Sequence, residues 1–300
     1  MTMPRRIVPG MTVMITRRTV RRTHLLRPDA ELNNHYLYCL AVVAKRFDIR
    51  VHAAVLMSTH EHLVVTDVRG ALPRFIQELH RLLALGIQAL RKWEGPVWDH
   101  EKTSIVELRT PAAIIEKIAY VIANPVAAGL VRRSHHWPGI TVRPEHLGRR
   151  HITATRPRFY FDSDNPLWPE LATLELTMPE LSMRDADMRD AVAAEVEHLE
   201  RTAHEDARAR GWKHLDSDGI KRLSPYDRAK SVEPQRDRNP TFAVGRGQRD
   251  AFFFAVATLR EFRRAYRCAM DAWRGLSRDV RFPHGTWLMR SLHQAATESG

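Results

Sequence analysis

The clearest pattern in the chain is a stripe of apolar residues between Leu72 and Trp93: Leu72, Phe75, Ile76, Leu79, Leu82, Leu83, Ile87 and Leu90. Residues three and four apart share a helix face, so this run predicts an amphipathic helix, stopped by Gly95-Pro96. Upstream, Arg50–Met57 (RVHAAVLM) and His60–Val65 (HEHLVV) each fit a strand. Only Ser58-Thr59 separates them, which predicts an antiparallel hairpin. Met11–Thr16 is short and partly β-branched and fits a first strand, followed by a basic turn of Arg17, Arg18, Arg21 and Arg22. Pro28-Asp29 then opens a helix with Leu32, Tyr36, Leu40 and Val43 at helical spacing, running to about Arg46. Ser104–Leu108 fits a fourth strand. Pro111 sits at the start of another helix, where its missing N–H is harmless. That helix turns Ile114, Ile115, Ile118 and Ile122 inward. Its expected end is Asn124, because Pro125 disfavours helix in the residue before it.

This order predicts an α+β fold: a ferredoxin-like, four-stranded antiparallel sheet with helices on one face, over residues 1–150. Residues 151–300 read as a mainly helical C-terminal extension. Phe159-Tyr160-Phe161 and Trp168-Pro169 suggest a packed connector, and Arg184–Arg210 is charged and helical in pattern. A Pro/Arg-rich loop is expected near 223–247. Asp250–Arg274 is a second amphipathic helix (Phe253, Val256, Leu259, Phe262, Tyr266), and Thr286–His293 is a short helical tail.

Composition narrows the function classes. The chain has 300 residues, 44% of them hydrophobic, which is enough for a real core. Its formal charge of +12 points to a polyanionic partner. That charge is unevenly placed. Residues 1–161 hold 25 Lys/Arg against 12 Asp/Glu, residues 162–206 hold 3 against 13, and residues 207–300 hold 19 against 10. The acidic stretch is therefore expected not to touch a polyanion, but either to pack on a basic surface or to limit where a bound strand can run. No run of 18 apolar residues suggests a membrane span, and no apolar h-region follows Arg5 and Arg6. Cys39 and Cys268 match no disulfide or metal framework, so a reducing cytoplasm is expected.

Two residue pairs carry candidate chemistry. Side chains alternate along a strand, so His60 and His62 share one side and Glu61 takes the other. Two imidazoles so placed can chelate one divalent metal; the same triplet also fits a solvated hairpin edge. Tyr120 and Asn124 are four apart and share a helix face, roughly 6 Å between Cβ atoms. Glu116 and Lys117 lie one turn earlier. Standing alone, Tyr120 also fits a boundary tyrosine and Asn124 a helix-ending residue.

Together, the segments HAAVLMSTHEHLVVTD and AYVIANPVAAGLV, with the basic turn and sheet order before them, resemble the REP-associated tyrosine transposases. These belong to the single-tyrosine HUH transposases, and the resemblance covers roughly residues 5–145. The SPYDR and FPHGTWLMR segments resemble the extension of longer members. The resemblance implies that His60, His62 and Asn124 hold Mg²⁺ or Mn²⁺, with no organic cofactor. It implies that Tyr120 is a nucleophile, with Glu116, Lys117 or water as assisting groups. The implied activity is cleavage and strand transfer of single-stranded DNA through a 5′-phosphotyrosine, on hairpin-forming repeats, by a nucleoid-associated monomer or dimer.

Arg17, Arg18, Arg21, Arg22, Arg132 and Arg133 are the expected backbone contacts. Bases are expected to stack on exposed aromatics that the sequence does not single out. Glu61 departs from the family, which usually has a hydrophobic residue there. If that face is packed, the carboxylate needs a partner, expected to be Arg or Lys. His100 and Glu101 fit a solvated loop near the site. A non-catalytic nucleic-acid-binding protein on the same fold is the alternative. A barrel metallohydrolase needs eight strand–helix units, and too few strands follow residue 150.

Overall fold

The computed structural model describes residues 4–101, 103–231 and 240–299. Its first half runs β1 (Met11–Arg18), α1 (Ala30–Phe47), β2 (Ile49–Leu56), β3 (His60–Asp67), α2 (Leu72–Arg91), β4 (Ser104–Leu108) and α3 (Pro111–Ala127). Its second half runs β5 (His151–Thr155), β6 (Leu171–Glu175), α4 (Asp185–Ala209), α5 (Asp216–Arg222), β7 (Phe242–Ala243), α6 (Arg249–Arg274) and α7 (Trp287–His293). The β2-β3-β1-β4 strands are antiparallel neighbours, as the hairpin pattern requires. The expected four-stranded antiparallel sheet is corrected at one edge. β7 joins β4 in parallel, making a five-stranded mixed sheet. An edge strand leaves backbone groups unpaired. Here Glu107 N–H donates to Thr241 C=O (3.0 Å) and Arg109 N–H to Ala243 C=O (2.9 Å).

Local chemistry explains the helix ends. The Asp29 carboxylate accepts from the Leu32 N–H, and Thr110 Oγ1 accepts from the Ala113 N–H, satisfying donors that a first turn leaves open. α3 does not end at Asn124; it continues through Pro125 to Ala127. Pro125 sits in the last turn, where one rung is lost and a φ near −65° still suits the helix. Ala128 N–H then bonds Asn124 C=O (2.9 Å) and Leu130 N–H bonds Pro125 C=O (3.1 Å).

The helices occupy both faces of the sheet, not one. On β3, Glu61 meets His80 of α2, and Asp67 accepts from Ala71 and Leu72 N–H at the start of α2. His62, on the other side, meets Tyr120 of α3. So α1 and α2 cover one face and α3 the other. α3 buries Ile114, Ile118, Val121, Ile122, Ala123 and Val126 because the sheet lies on one side and α4 on the other. α4 in turn buries Met188, Val192 and Val196.

The main core runs without a break from Ile7 to Ile220, and a smaller cluster joins Tyr266, Ala269, Phe282, Met289 and Ala295. The β5–β6 hairpin, which packs on α1, lies outside the helical pattern expected beyond residue 150. Its strands alternate, turning Ala154, Ala172 and Leu174 inward, but each is only five residues long and residues 156–170 separate them. Of the expected loop, residues 232–239 lie outside the described residues. Its flanks pair with the basic turn and with β4. No described helix is long and apolar enough to cross a membrane.

His35 and His52 are buried imidazoles. His52 lies where the β2–β3 register shifts between Val51 and Ala53, and its ring is held by Thr177 C=O (2.9 Å) and Thr66 Oγ1 (2.8 Å). Desolvation pulls each pKa down from 6.5 to about 4. Above pH 6.5 both rings are neutral folded or unfolded, so they do not affect stability. As pH falls from 6.5 towards 4, the unfolded chain takes up protons that the folded chain refuses, and stability is lost. Each ring contributes on the order of 3 kcal/mol of loss by pH 4. Urea midpoints measured from pH 7.5 to 4.5 should fall steadily, with a shallower slope in His52→Asn.

Candidate active site

β3 places His60 and His62 on the sheet face covered by α3. Their ring centroids are 4.7 Å apart. The His62 ring meets Tyr120 edge-on at 5.3 Å, and the Asn124 side chain hydrogen-bonds the His60 ring. The four residues singled out in the sequence therefore converge, although about 60 residues of chain separate the two pairs. Lys117 Nζ lies 5.5 Å from the centre of the Tyr120 ring.

Both imidazoles are oriented through Nδ1. Thr16 Oγ1 is 2.7 Å from His62 Nδ1, and Thr59 Oγ1 is 3.0 Å from His60 Nδ1. Thr16 arrives by register, since it pairs with His62 across β1 and β3. His60 keeps part of its surface open, but desolvation lowers its pKa to about 4. Arg18 and Arg22 push the same way, against the Asn124 hydrogen bond. Its ring is therefore neutral at pH 7, the form that offers a lone pair to a metal.

Among the described residues no group of three His, Cys, Asp or Glu side chains is arranged to hold a metal ion. The set gathered here is different: two imidazole nitrogens and one amide oxygen. It fits a divalent cation of mixed N and O preference, with Mn²⁺ favoured over Mg²⁺ by ligand type. None of its members carries negative charge, so a bound cation keeps its full charge toward an anionic substrate.

The arginines divide by role. Arg17 shares the opposite sheet face with Glu61 and braces the following loop, donating to Glu101 C=O, Asp99 C=O (3.0 Å) and Thr103 Oγ1 (3.2 Å). Arg18 pairs with His60 in register and lies on the histidine face. Arg21 is exposed, with its backbone N–H on Asp99. Arg22 donates to Ser231 through its guanidinium. Arg21 and Arg22 both have positive φ (51° and 55°), a strained conformation for arginine. Arg132 is exposed, whereas Arg133 pairs with Glu200 of α4 at 3.1 Å. Glu116 is engaged by Arg246, through its backbone N–H (2.7 Å) and its Nε (3.4 Å). His100 is exposed beside Asp99.

Glu61 is wholly buried. His80 Nε2 bonds its carboxylate, and Arg17, its cross-strand neighbour on the same face, interacts with it electrostatically, as expected of a nearby arginine. The Tyr36 phenol lies against the same carboxylate; burial first and Glu61 second push its pKa well above 10. Trp98 Nε1–H donates to His80 C=O (2.8 Å), closing the network.

Two residues were not singled out in the sequence, and a third feature, the SPYDR segment, had no place in the fold there. Thr16 was legible from strand register. Arg246, 130 residues from Glu116, left no local signal. The third is the Ser224–Ser231 segment, which lines the basic turn: His24 N–H donates to Asp227 C=O (2.8 Å) and Ala229 N–H to Arg22 C=O (3.0 Å). It sets Tyr226, half exposed, near-parallel to Trp93 at 6.4 Å. This is an aromatic pair beside the basic turn, of the kind the sequence left unassigned.

No protein-family model and no curated protein matches the chain. Among solved structures, the chain is similar to a REP-associated tyrosine transposase bound to a REP hairpin, at 19% identity and a TM-score of 0.39. That alignment covers 46% of this chain and 81% of the other. It is also similar to a candidate transposase from Deinococcus radiodurans R1, at 18% identity and a TM-score of 0.28, covering 35% of this chain and 85% of that one. Both alignments leave more than half of the chain unmatched.

Breaking a buried charged or polar pair by removing one partner is costly, because the other is left desolvated. Glu61→Ala should lower stability by about 3 kcal/mol. The double variant Glu61→Leu with His80→Leu should recover a large part of that loss. Chemical denaturation of the three proteins checks both.

Proposed function

We propose that this chain cleaves and rejoins single-stranded DNA at hairpin-forming repeats, through a covalent bond between Tyr120 and a 5′-phosphate. The observation that carries the reading is the convergence of Tyr120, His60, His62 and Asn124 on one sheet face, beside Arg18 and the basic turn.

The residues divide the work as follows. Tyr120 Oη attacks phosphorus and passes its proton to water, which returns one to the leaving oxygen. The P–O3′ bond breaks, and the departing 3′ oxygen takes up a proton. One phosphate ester bond replaces another, so a free 3′-OH can reverse the step without an external energy source. His60, His62 and Asn124 would hold a divalent cation, which would supply Lewis-acid stabilisation of the phosphate charge. Thr16 and Thr59 hold the two imidazoles through Nδ1, so the lone pairs do not reorient during the reaction. Lys117 holds positive charge beside the phenol ring, where phenolate character develops. Arg18, Arg21, Arg22 and Arg132 contact the strand's phosphates. Trp93 and Tyr226 offer a stacking surface for unpaired bases. Arg17, Arg133 and Glu116 act as braces in this scheme.

A labelled, hairpin-bearing single strand incubated with Mn²⁺ should yield an adduct that survives SDS. Tyr120→Phe should abolish the adduct with little change in DNA affinity. His60→Ala and His62→Ala should remove its dependence on the cation. An adduct that persists in Tyr120→Phe refutes the nucleophile. Intact binding without any adduct in the native protein favours a non-catalytic binding protein on this fold.

A further inference from the structure

α6 buries one side, through Ala255, Phe262, Tyr266 and Ala269. At about 100° per residue, the opposite side carries Arg249, Phe253, Arg260, Arg264 and Arg267 within roughly 60° of arc. All five are exposed. They span about 27 Å of helix. Arg249 lies over the Phe253 ring at 5.6 Å. Among the described residues, no ion pair joins Arg260, Arg264 or Arg267 to a carboxylate; Glu261 lies off the stripe, and the exposed Asp271 ends it, four residues after Arg267. At its start the helix also presents Phe254, 73% exposed.

The stripe begins beside the proposed site. Gly245 (φ 80°) is backed so closely against Ala112 and Ala113 that a Cβ there would collide. Arg246, next in the chain, bonds Glu116, one turn of α3 before Tyr120. It also bonds Glu195 of α4. The segment leading into α6 is thus fastened to the tyrosine helix.

We infer that the exposed face of α6 is a second nucleic-acid contact. Arg260, Arg264 and Arg267 bind phosphates outside the cleavage site, and Phe253 and Phe254 offer ring faces to unpaired bases. The inference rests on the reading under Proposed function for its ligand class. Nucleic acid suits the surface better than lipid. The apolar side of α6 is spent inside the protein, its exposed side is cationic from Arg249 to Arg267, and exposed phenylalanines gather at one end only. Arginines one turn apart match a repeating backbone charge.

The test uses the full chain with Arg260, Arg264 and Arg267 all changed to Ala, and a second variant with all three changed to Lys. Anisotropy with a labelled hairpin oligonucleotide gives affinity at several salt concentrations. The Ala variant should bind at least tenfold more weakly at 0.1 M salt. Its slope of log K against log salt should shrink by about 2. The Lys variant should keep the native slope, and adduct formation at saturating oligonucleotide should be unchanged in both. Unchanged affinity and slope in the Ala variant overturn the inference. So does unchanged oligonucleotide binding with lost binding to phosphatidylserine vesicles, which would make the surface a lipid contact. A native protein that forms no adduct, alongside a weakened Ala variant, refutes the cleavage reading and leaves the α6 contact standing.

Discussion

β3 is buried on both sides, and this constrains everything around it. A strand sends alternate side chains to opposite faces, so Glu61 and the two histidines are forced apart. Glu61 enters the layer of α1 and α2, where only hydrogen bonding makes a carboxylate tolerable. His80 supplies the hydrogen bond, with the Tyr36 phenol and Arg17 beside the carboxylate. A slip of one residue would turn Glu61 toward Tyr120 and drive both imidazoles into an apolar layer. The buried Glu61–His80 contact thus opposes the slip that would dismantle the site. It lies directly behind the histidines, on the far face of the same strand.

Charge is arranged in layers rather than spread as a coat. Several basic residues near the site are committed to the fold. Arg17 braces a loop, Arg133 holds Glu200 and Arg246 holds both Glu116 and Glu195. The acidic segment supplies many of their partners, because α4 lies on α3 and turns Glu195 and Glu200 toward these arginines. This placement keeps acidic residues in contact with basic ones behind the tyrosine helix. Arg18, Arg21 and Arg132 on one side, and the α6 stripe on the other, remain oriented to solvent or to the histidine face.

The fold was legible where burial is one-sided and periodic. The α2 stripe, the β2–β3 hairpin and the α1 spacing each encode their element in local pattern, and the structure places them within a few residues. The faint cases are those where both faces are used or the strands are short. α3 is covered on two sides, because α4 lies on its outer side while Glu116, Lys117 and Tyr120 stay half-buried, and Pro125 does not stop it. The β5–β6 strands alternate, but each is five residues long and residues 156–170 separate them, so no tight turn marks them as a hairpin. β7 is two residues long and exists only because β4 offers an open edge.

By itself the sequence determined which side chains share a face. His60 and His62 lie on one side of a strand, and Tyr120 and Asn124 on one side of a helix, because backbone geometry sets periods of 2 and 3.6. Tertiary structure alone decided that those two faces meet, that Thr16 and Thr59 orient the rings, and that His80 hydrogen-bonds Glu61. It alone fastened Arg246 to Glu116, and the SPYDR segment to the basic turn. These are contacts between residues up to 209 positions apart. Local periodicity carries no record of such pairings; they follow from how layers pack and which polar groups must then be satisfied.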